Sequence, residues 1–227
     1  MIIGNGLVAR AFKNEKNYFK NVIIFASGVA NSKNANLKEF QREKKLLKKL
    51  LQKEKTKKFI YFSTLDIFRK IKTPYINHKI KIEKLLIKEK NVLIIRLPQL
   101  IGNSKNKFTL FNFLKQNLKK NKKIIIYKNF YRNFLDVDDL VKSVKKLKLK
   151  KNKFNKLNLF HKKSIQIDEV LNFFNKKKVI NNKIFKISND KDLYYFNMSK
   201  FYKDKYIEIK KQNYYPKLFK KYIIWLF

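Results

Sequence analysis

The sequence of 227 residues contains no cysteine, which excludes disulfide bonds, thiolate-bound metals and a cysteine nucleophile. Histidine is almost as scarce, with only His78 and His161, so we expect no metal site. No uncharged apolar run approaches the roughly 20 residues that a membrane-spanning helix requires. The N-terminus also lacks a basic segment followed by an apolar one. We therefore expect a cytoplasmic protein without a transmembrane span.

Acidic residues and arginine are also rare, and lysine dominates the charge. There are 57 basic and 16 acidic residues, for a net charge of +41, yet only five of the basic residues are arginine. Such a charge is typical of proteins that bind nucleic acid or anionic membranes. Arginine, however, is the residue preferred for bidentate phosphate and guanine contacts. We interpret the lysines as solvated faces produced by A/T-rich codons, with no specific nucleic-acid partner, and keep a polyanion-binding protein as an alternative.

Apolar residues are plentiful, at 44% of the chain, and their pattern predicts the fold class. Strand-like runs alternate with amphipathic helical patterns, which is typical of parallel βαβ units. The sequence predicts strands at 1–4, 21–26, 58–63 and 91–97, and helices at 7–19, 36–53 and 75–90. The pattern weakens beyond about residue 150. We therefore expect an α/β fold with a parallel sheet and flanking helices over residues 1–149 and a small C-terminal cap over residues 150–227.

Glycine occurs only four times, and two of these residues lie between the first predicted strand and helix. Gly4 and Gly6 belong to a Gly-x-Gly-x-x-Ala turn over residues 4–9. Small residues at these places let the backbone approach a pyrophosphate at the start of the helix. A tight turn without a ligand is the alternative interpretation. The turn supplies the candidate cofactor-binding residues Gly4, Asn5, Gly6, Leu7 and Val8.

Ser63 and Thr64 end a predicted strand, and Tyr75 and Lys79 lie on the helix that follows. Since Tyr75 and Lys79 are four positions apart, they share one helix face. A protonated lysine beside a phenol favours the phenolate and lowers the pKa of Tyr75, which could then act as general acid or base toward a hydroxyl or ketone. Thr64 or Ser63 would bind the same oxygen, and Glu83 would orient Lys79. An exposed helix face is the alternative.

These residues resemble the Ser/Thr and Tyr-x-x-x-Lys signature of the extended short-chain dehydrogenases/reductases, the NAD-dependent epimerases and dehydratases of nucleotide sugars. Segments 95–102 (Ile-Arg-Leu-Pro-Gln-Leu-Ile-Gly), 132–140 and 196–200 resemble further motifs of that family. The resemblance implies a Rossmann-like, dinucleotide-binding domain over residues 1–149 and a substrate role for the cap over residues 150–227. It implies NAD or NADP as cofactor and a nucleotide-sugar substrate in surface-polysaccharide biosynthesis. It also implies that Lys79 and Pro98 contact the cofactor.

The strand at 21–26 departs from the family pattern. Together with residues 25–28 (Phe-Ala-Ser-Gly), it resembles the family's fourth strand and not its second. We therefore expect the second and third strands to be absent, and with them the acidic residue, about 20 positions after the glycines, that binds the adenosine ribose. Ser27 is our candidate for a contact with ribose or phosphate. A non-catalytic fold relative that binds a nucleotide or a partner enzyme is kept as an alternative.

Two further features have structural interpretations. Asp138 or Asp139, at the start of a helix predicted over 137–148, suits an N-cap or first-turn acid, which we prefer to a catalytic role. The apolar C-terminal segment 222–227 follows two lysines. We expect it to pack on its own domain or on a partner subunit of a homodimer, with an interfacial membrane anchor as the alternative.

Overall fold

Parallel strands form the centre of the computed structural model, which describes residues 1–104, 106–120, 122–127, 130–147, 149, 155–175, 184–187 and 198–223. The strands are β1 (Ile2–Ile3), β2 (Val22–Phe25), β3 (Lys58–Thr64), β4 (Val92–Leu97), β5 (Gln99–Ile101), β6 (Ile124–Tyr127), β7 (Tyr131–Arg132), β8 (Phe134–Asp136), β9 (Lys156–His161), β10 (Ile165–Gln166), β11 (Ile184–Ile187) and β12 (Tyr206–Ile209). The helices are α1 (Leu7–Lys13), α2 (Leu37–Lys53), α3 (Pro74–Leu86), α4 (Leu110–Lys119), α5 (Val137–Lys146), α6 (Ile167–Asn175) and α7 (Tyr214–Ile223), with two 3-10 helices at Leu65–Phe68 and Met198–Tyr202.

The main sheet has six strands in the order β1-β2-β3-β4-β9-β12, and every neighbouring pair is parallel. The predicted α/β fold with a Rossmann-like parallel sheet is confirmed. In a Rossmann sheet the second and third strands lie on the outer side of the first. Within the described ranges no strand pairs with that side of β1, and β2 lies directly between β1 and β3. This order agrees with the expectation that the second and third strands of the family are absent.

Helices cover both faces of the sheet because successive strand residues point to opposite sides. Ile60 belongs to the apolar cluster that includes side chains of α1, α4, α5, α6 and α7. Its neighbour Tyr61 belongs to a second cluster, which α2 and α3 complete with Leu47, Ile82 and Leu86. The carboxyl ends of the parallel strands therefore meet at one edge between two helical layers, where α/β proteins commonly bind ligands.

Three two-stranded sheets flank the main one: β5 with β8, β6 with β11, and β7 with β10. Strands β9 and β12, which lie beyond residue 150, complete the main sheet, and the division into domains at that residue stays a prediction. Helix α1 ends at Lys13, earlier than the predicted Phe19, and turns continue the chain until Phe19 packs against Phe12, with ring centroids 5.2 Å apart. None of the helices in the described ranges has the length and apolarity needed to cross a membrane.

Candidate active site

A cleft of about 480 Å³ opens at the carboxyl edge of the main sheet. On one side lies the turn between β1 and α1, and on the other lies the start of α3. All but one of the predicted site residues line this cleft; Gly4 is the exception. They are Asn5, Gly6, Leu7, Val8, Ser27, Ser63, Thr64, Tyr75, Lys79 and Pro98. The fold thus brings together residues that are nearly a hundred positions apart in the chain.

The two glycines of the first turn have different structural roles. Gly4 has a φ of +120°, which side-chain-bearing residues rarely adopt, and a Cβ at this position would lie 2.4 Å from the carbonyl oxygen of Ala26. Gly4 therefore allows close approach of the β1 turn to the loop after β2. A Cβ on Gly6 would meet no atom within 4 Å. Gly6 is the N-cap residue of α1, and no side chain caps this end of the helix. The space beside the start of α1 is open to the cleft.

Tyr75 is buried, lines the cleft and lies beside Thr64, whose hydroxyl lowers the pKa of the phenol without overcoming the effect of burial. Thr64 also caps the 3-10 helix at 65–68, since its Oγ1 accepts from the amide of Asp66 at 3.1 Å. The hydroxyl of Ser63 instead donates to Glu83 Oε1 at 2.5 Å. Of the two hydroxyl residues predicted for this site, Thr64 is the one whose side chain acts on Tyr75.

Lys79 is held by a buried carboxylate, Glu43 of α2. The Nζ atom of Lys79 donates to Glu43 Oε1 at 3.0 Å and to the hydroxyl of Tyr61 at 2.8 Å. Glu43 also accepts from the Tyr61 hydroxyl at 2.6 Å and from the amide of Val29 at 2.7 Å, and it contacts His78 Nε2 at 3.0 Å. Although burial opposes ionisation of Glu43, Lys79 and these hydrogen bonds hold the pKa of its carboxyl well below the usual range.

The expectation that Glu83 orients Lys79 is wrong. Glu83 accepts from Arg96, with 2.6 Å between Nη2 and Oε2, as well as from Ser63. The Nη1 atom of Arg96 donates at 2.5 Å to Asp204, which precedes β12. Lys79 turns toward α2 while Glu83 turns toward β4, because each finds its opposite charge there. The Glu83–Arg96 pair therefore links the sheet to the C-terminal part of the chain.

The pKa of Tyr75 is raised above its ordinary value, whereas the sequence predicts that Lys79 lowers it. Burial is the largest cause, and the negative charges of Asp66 and Glu43 add to it. The hydrogen bond from Thr64 and the charge of Arg69 oppose the shift without overcoming it. The Lys79 ammonium lies 5.9 Å from the centroid of the Tyr75 ring and is engaged by Glu43, so its charge is largely neutralised there.

Two arginines lie at the rim of the cleft, and one of them, Arg42, is paired with Glu39 at 3.1 Å. Arg10 and Arg42 both line it, and Arg42 donates to the Ser27 hydroxyl at 3.3 Å and to the Ser27 carbonyl at 3.2 Å. Asp66, the one carboxylate among the residues that line the described cleft, is paired with Arg69 at 2.9 Å. This balance of charge favours an anionic ligand.

Sequence reasoning missed Glu43, Tyr61 and the two rim arginines. A signal for Glu43 existed, because it lies three positions after Phe40 and four before Leu47, on the stripe of α2 that faces the core. An acid on the buried stripe of an amphipathic helix needs a buried partner, and the structure supplies Lys79.

The remaining motifs have structural roles. Asp136 is the N-cap of α5, accepting from the amide of Asp138 at 2.9 Å, and Asp138 and Asp139 lie in the first turn, so the predicted first-turn role is confirmed. In the C-terminal segment, Tyr222 is buried and donates to Asp136 at 2.8 Å, which supports packing on its own domain for that residue. Residues 224–227 of this segment, and residues 196–197 of the motif at 196–200, lie outside the described residues.

No protein-family model and no curated protein matches the sequence. Solved structures do match its fold. UDP-glucuronic acid 4-epimerase from Bacillus cereus, in complex with UDP-glucuronic acid and NAD, superposes with a TM-score of 0.68 at 18% identity, over 98% of this chain and 80% of that one. dTDP-glucose 4,6-dehydratase from Bacillus anthracis, in complex with NAD, has a TM-score of 0.69 at 13% identity, over 97% and 78% of the two chains.

A structure of RMD from Pseudomonas aeruginosa complexed with NADPH matches 74% of this chain and 69% of that chain, with a TM-score of 0.59 at 17% identity. The fold is therefore that of a Rossmann-like α/β protein. Within that class, the fold is the one found in solved NAD-dependent epimerases and dehydratases of nucleotide sugars. This is the fold that the resemblance in sequence predicts.

Proposed function

We propose that this protein binds NAD or NADP in the cleft and catalyses hydride transfer on a nucleotide-linked sugar, with Tyr75 as the acid/base. One observation carries this proposal: the glycine turn at Gly6 and the Tyr75–Lys79 pair line the same cleft. The solved epimerase in complex with UDP-glucuronic acid and NAD supports it through its shared fold. The finer parts of the proposal are a role in surface-polysaccharide biosynthesis, a cytoplasmic location and a homodimer.

The residues present fit one half of such a cofactor better than the other. Gly6 leaves open space at the start of α1, where Leu7 and Val8 would offer their backbone to the pyrophosphate. Lys79 and Pro98 line the inner part of the cleft, where the nicotinamide half would lie. On the adenosine side, no strand beyond β1 is present in the described chain to supply a ribose-binding acid. Ser27 is the residue that we propose for that contact.

The nicotinamide, when bound, supplies or accepts the hydride. The chain's own residues bind the substrate oxygen and move its proton. Thr64 and Tyr75 line the same cleft side by side, so both hydroxyls can contact a single substrate oxygen. Tyr75 would give a proton to that oxygen when a ketone is reduced and take one when an alcohol is oxidised. Ser63 would support Thr64 only indirectly, since its hydroxyl is bonded to Glu83.

Calorimetry with NAD, NADH, NADP and NADPH tests the proposal. We expect at least one of the four to bind. Gly6→Thr should abolish this binding without changing the melting temperature, because threonine suits an N-cap and its side chain would enter the open space. Ala35→Thr, at an exposed loop position, is the matched control and should bind as the wild type does. If the folded wild type binds none of the four at millimolar concentration, the proposal fails in favour of a non-catalytic fold relative.

A further inference from the structure

The cluster around Glu43 is the most completely buried group of charges beside the cleft. Glu43 is 0% exposed and Lys79 is 2% exposed. The loop after β2 covers the pair, since a Cβ on Gly28 would lie 2.8 Å from Lys79 Nζ and 3.0 Å from Glu43 Oε1. Two of the three ammonium hydrogens of Lys79 are used, by Glu43 and by Tyr61. The ammonium is therefore fixed by α2 and β3.

The charges that face Tyr75 come from three directions. Asp66 and Arg69 approach from the segment after β3 and form an ion pair with each other at 2.9 Å. Glu43 approaches from α2, and Lys79 lies one turn further along α3 itself. Each positive group near Tyr75 thus has a carboxylate partner of its own. The charge of Arg69 favours a Tyr75 phenolate, but the charge of its partner Asp66 opposes ionisation more strongly.

We propose that Glu43 is a positioning residue that holds the ammonium of Lys79 on Tyr61 and keeps Tyr75 a protonated phenol, so that the site is built to donate a proton to a substrate carbonyl. This inference rests on the proposed function and gives it a direction, the reduction of a keto sugar. A reduced nicotinamide supplies the hydride that forms the new C–H bond at the carbonyl carbon. The carbonyl π electrons move to the oxygen, which takes the proton of Tyr75. The resulting phenolate is protonated again from solvent after the product leaves.

The reverse reaction requires Tyr75 to be ionised before it can remove a hydroxyl proton. Because burial and the charges of Asp66 and Glu43 raise the pKa of Tyr75, the phenolate is scarce at neutral pH. Oxidation should therefore need alkaline conditions, whereas reduction should proceed at neutral pH. Release of Lys79 from Glu43 should weaken this preference and move oxidation to a lower pH, since a free ammonium would then stabilise the phenolate.

Titration of Tyr75 measures this role directly. The protein is labelled with tyrosine carrying 13C at the ζ carbon, and the Tyr75 signal is assigned by its loss in Tyr75→Phe. In the wild type, Tyr75 should stay protonated above about pH 10, the titration midpoint of an ordinary tyrosine. In Glu43→Gln the midpoint should fall by at least about one pH unit, a tenfold change in the acid constant. Glu39→Gln, which removes a half-buried acid from the same helix, is the matched control and should leave the midpoint unchanged.

Two results would overturn the role of Glu43. One is a Tyr75 midpoint in Glu43→Gln equal to that of the wild type. The other is a wild-type midpoint below the ordinary value, which can be measured even if Glu43→Gln fails to fold. Because the titration is performed without ligand, it is independent of the calorimetry. Absence of cofactor binding would remove the proposed function, whereas an unshifted Tyr75 would remove only the role of Glu43.

Discussion

Glu43 Oε1 and Lys79 Nζ lie 3.0 Å apart, one on α2 and the other on α3, and side chains and backbone exclude solvent from both. Removal of one partner of a buried ion pair leaves an uncompensated charge in a low-dielectric environment. The pair therefore joins two helices of one layer as well as fixing the candidate catalytic lysine. Its contribution to folding can be measured separately from its contribution to chemistry.

Glu43→Gln should lower the free energy of unfolding at pH 7 by about 3–5 kcal/mol. The folded-state pKa of Glu43 lies below its unfolded value, so its stabilisation is fully present above about pH 5 and is lost as the pH falls through the unfolded value near about 4.3 toward the folded one. Urea unfolding at pH 7, 5 and 3 should show the difference between wild type and variant shrinking with acid. A difference that stays constant over this range would contradict the assignment.

Gly4→Ala should destabilise the protein by at least about 1–3 kcal/mol, because its φ of +120° is strained for alanine and the new Cβ would collide with the Ala26 carbonyl. Gly6→Ser, two positions away, should change stability by less than about 0.5 kcal/mol, since serine is a good N-cap and the space is open. Thermal unfolding of both variants provides the comparison. Equal losses of stability in the two variants would show that Gly4 and Gly6 do not differ in structural role.

Arg42 should favour NADPH over NADH. A nearby arginine accommodates a 2′-phosphate on the adenosine ribose. Arg42 lines the described cleft, where its Nη1 donates to Ser27, while its Nε pairs with Glu39 at 3.1 Å. Arg42→Ala should weaken NADPH binding by about tenfold or more, since a hydrogen bond to a charged group contributes about 1.5–3 kcal/mol. NADH binding should hardly change. Lys48→Ala, an exposed cation further along α2, is the control in the same calorimetric assay. Equal losses for both nucleotides would rule out a specific contact with the 2′-phosphate.

Tyr75→Phe should reduce turnover by about 100-fold to 10,000-fold while leaving cofactor affinity nearly unchanged, because only the exchangeable proton is removed. Thr64→Ala should also impair turnover, since Ser63 is bonded to Glu83 and is not free to replace it. Oxidation of NADPH or NADH with a nucleotide-linked keto sugar can be followed by absorbance. Full activity of Tyr75→Phe would eliminate Tyr75 as the acid.

Any binding of nucleic acid should be weak, nonspecific and sensitive to salt. Contacts made mainly by lysine release counterions from each phosphate, so affinity should fall steeply between about 50 and 200 mM salt. Fluorescence anisotropy with unrelated DNA and RNA sequences measures this dependence. Nanomolar, sequence-selective binding that persists at about 200 mM salt would support the polyanion-binding alternative.

The fold could be predicted because the pattern of apolar residues within each short segment of the sequence indicates whether that segment is a strand or a helix. Apolar periodicity within each segment distinguishes strands from helices, and their alternation implies parallel pairing, as the register of Ile2 opposite Ile24 and of Val22 opposite Lys58 shows. The absence of the second and third strands from the described part of the chain is also predictable, because the segment after the glycine turn resembles a later strand.

The site was predictable only where its residues form short motifs. The glycine turn and the Tyr75–Lys79 spacing are such motifs, and their residues line the cleft. The partner of Lys79 was not predictable in the same way, since Glu43 lies 36 residues earlier and the face on which α2 meets α3 depends on tertiary packing. The upward shift of the Tyr75 pKa also depends on tertiary packing, because it results from burial and from the charges that the fold places beside the phenol.

The position of β1 at the edge of the main sheet has a consequence for ligand efficiency. A dinucleotide in this cleft would have protein contacts along its nicotinamide and pyrophosphate portions, while its adenine would extend past β1 toward solvent. Atoms that remain solvated add mass without adding binding free energy. Nicotinamide mononucleotide should therefore retain most of the binding free energy of the complete NAD, a larger share than it would retain in a sheet whose second and third strands contact the adenosine.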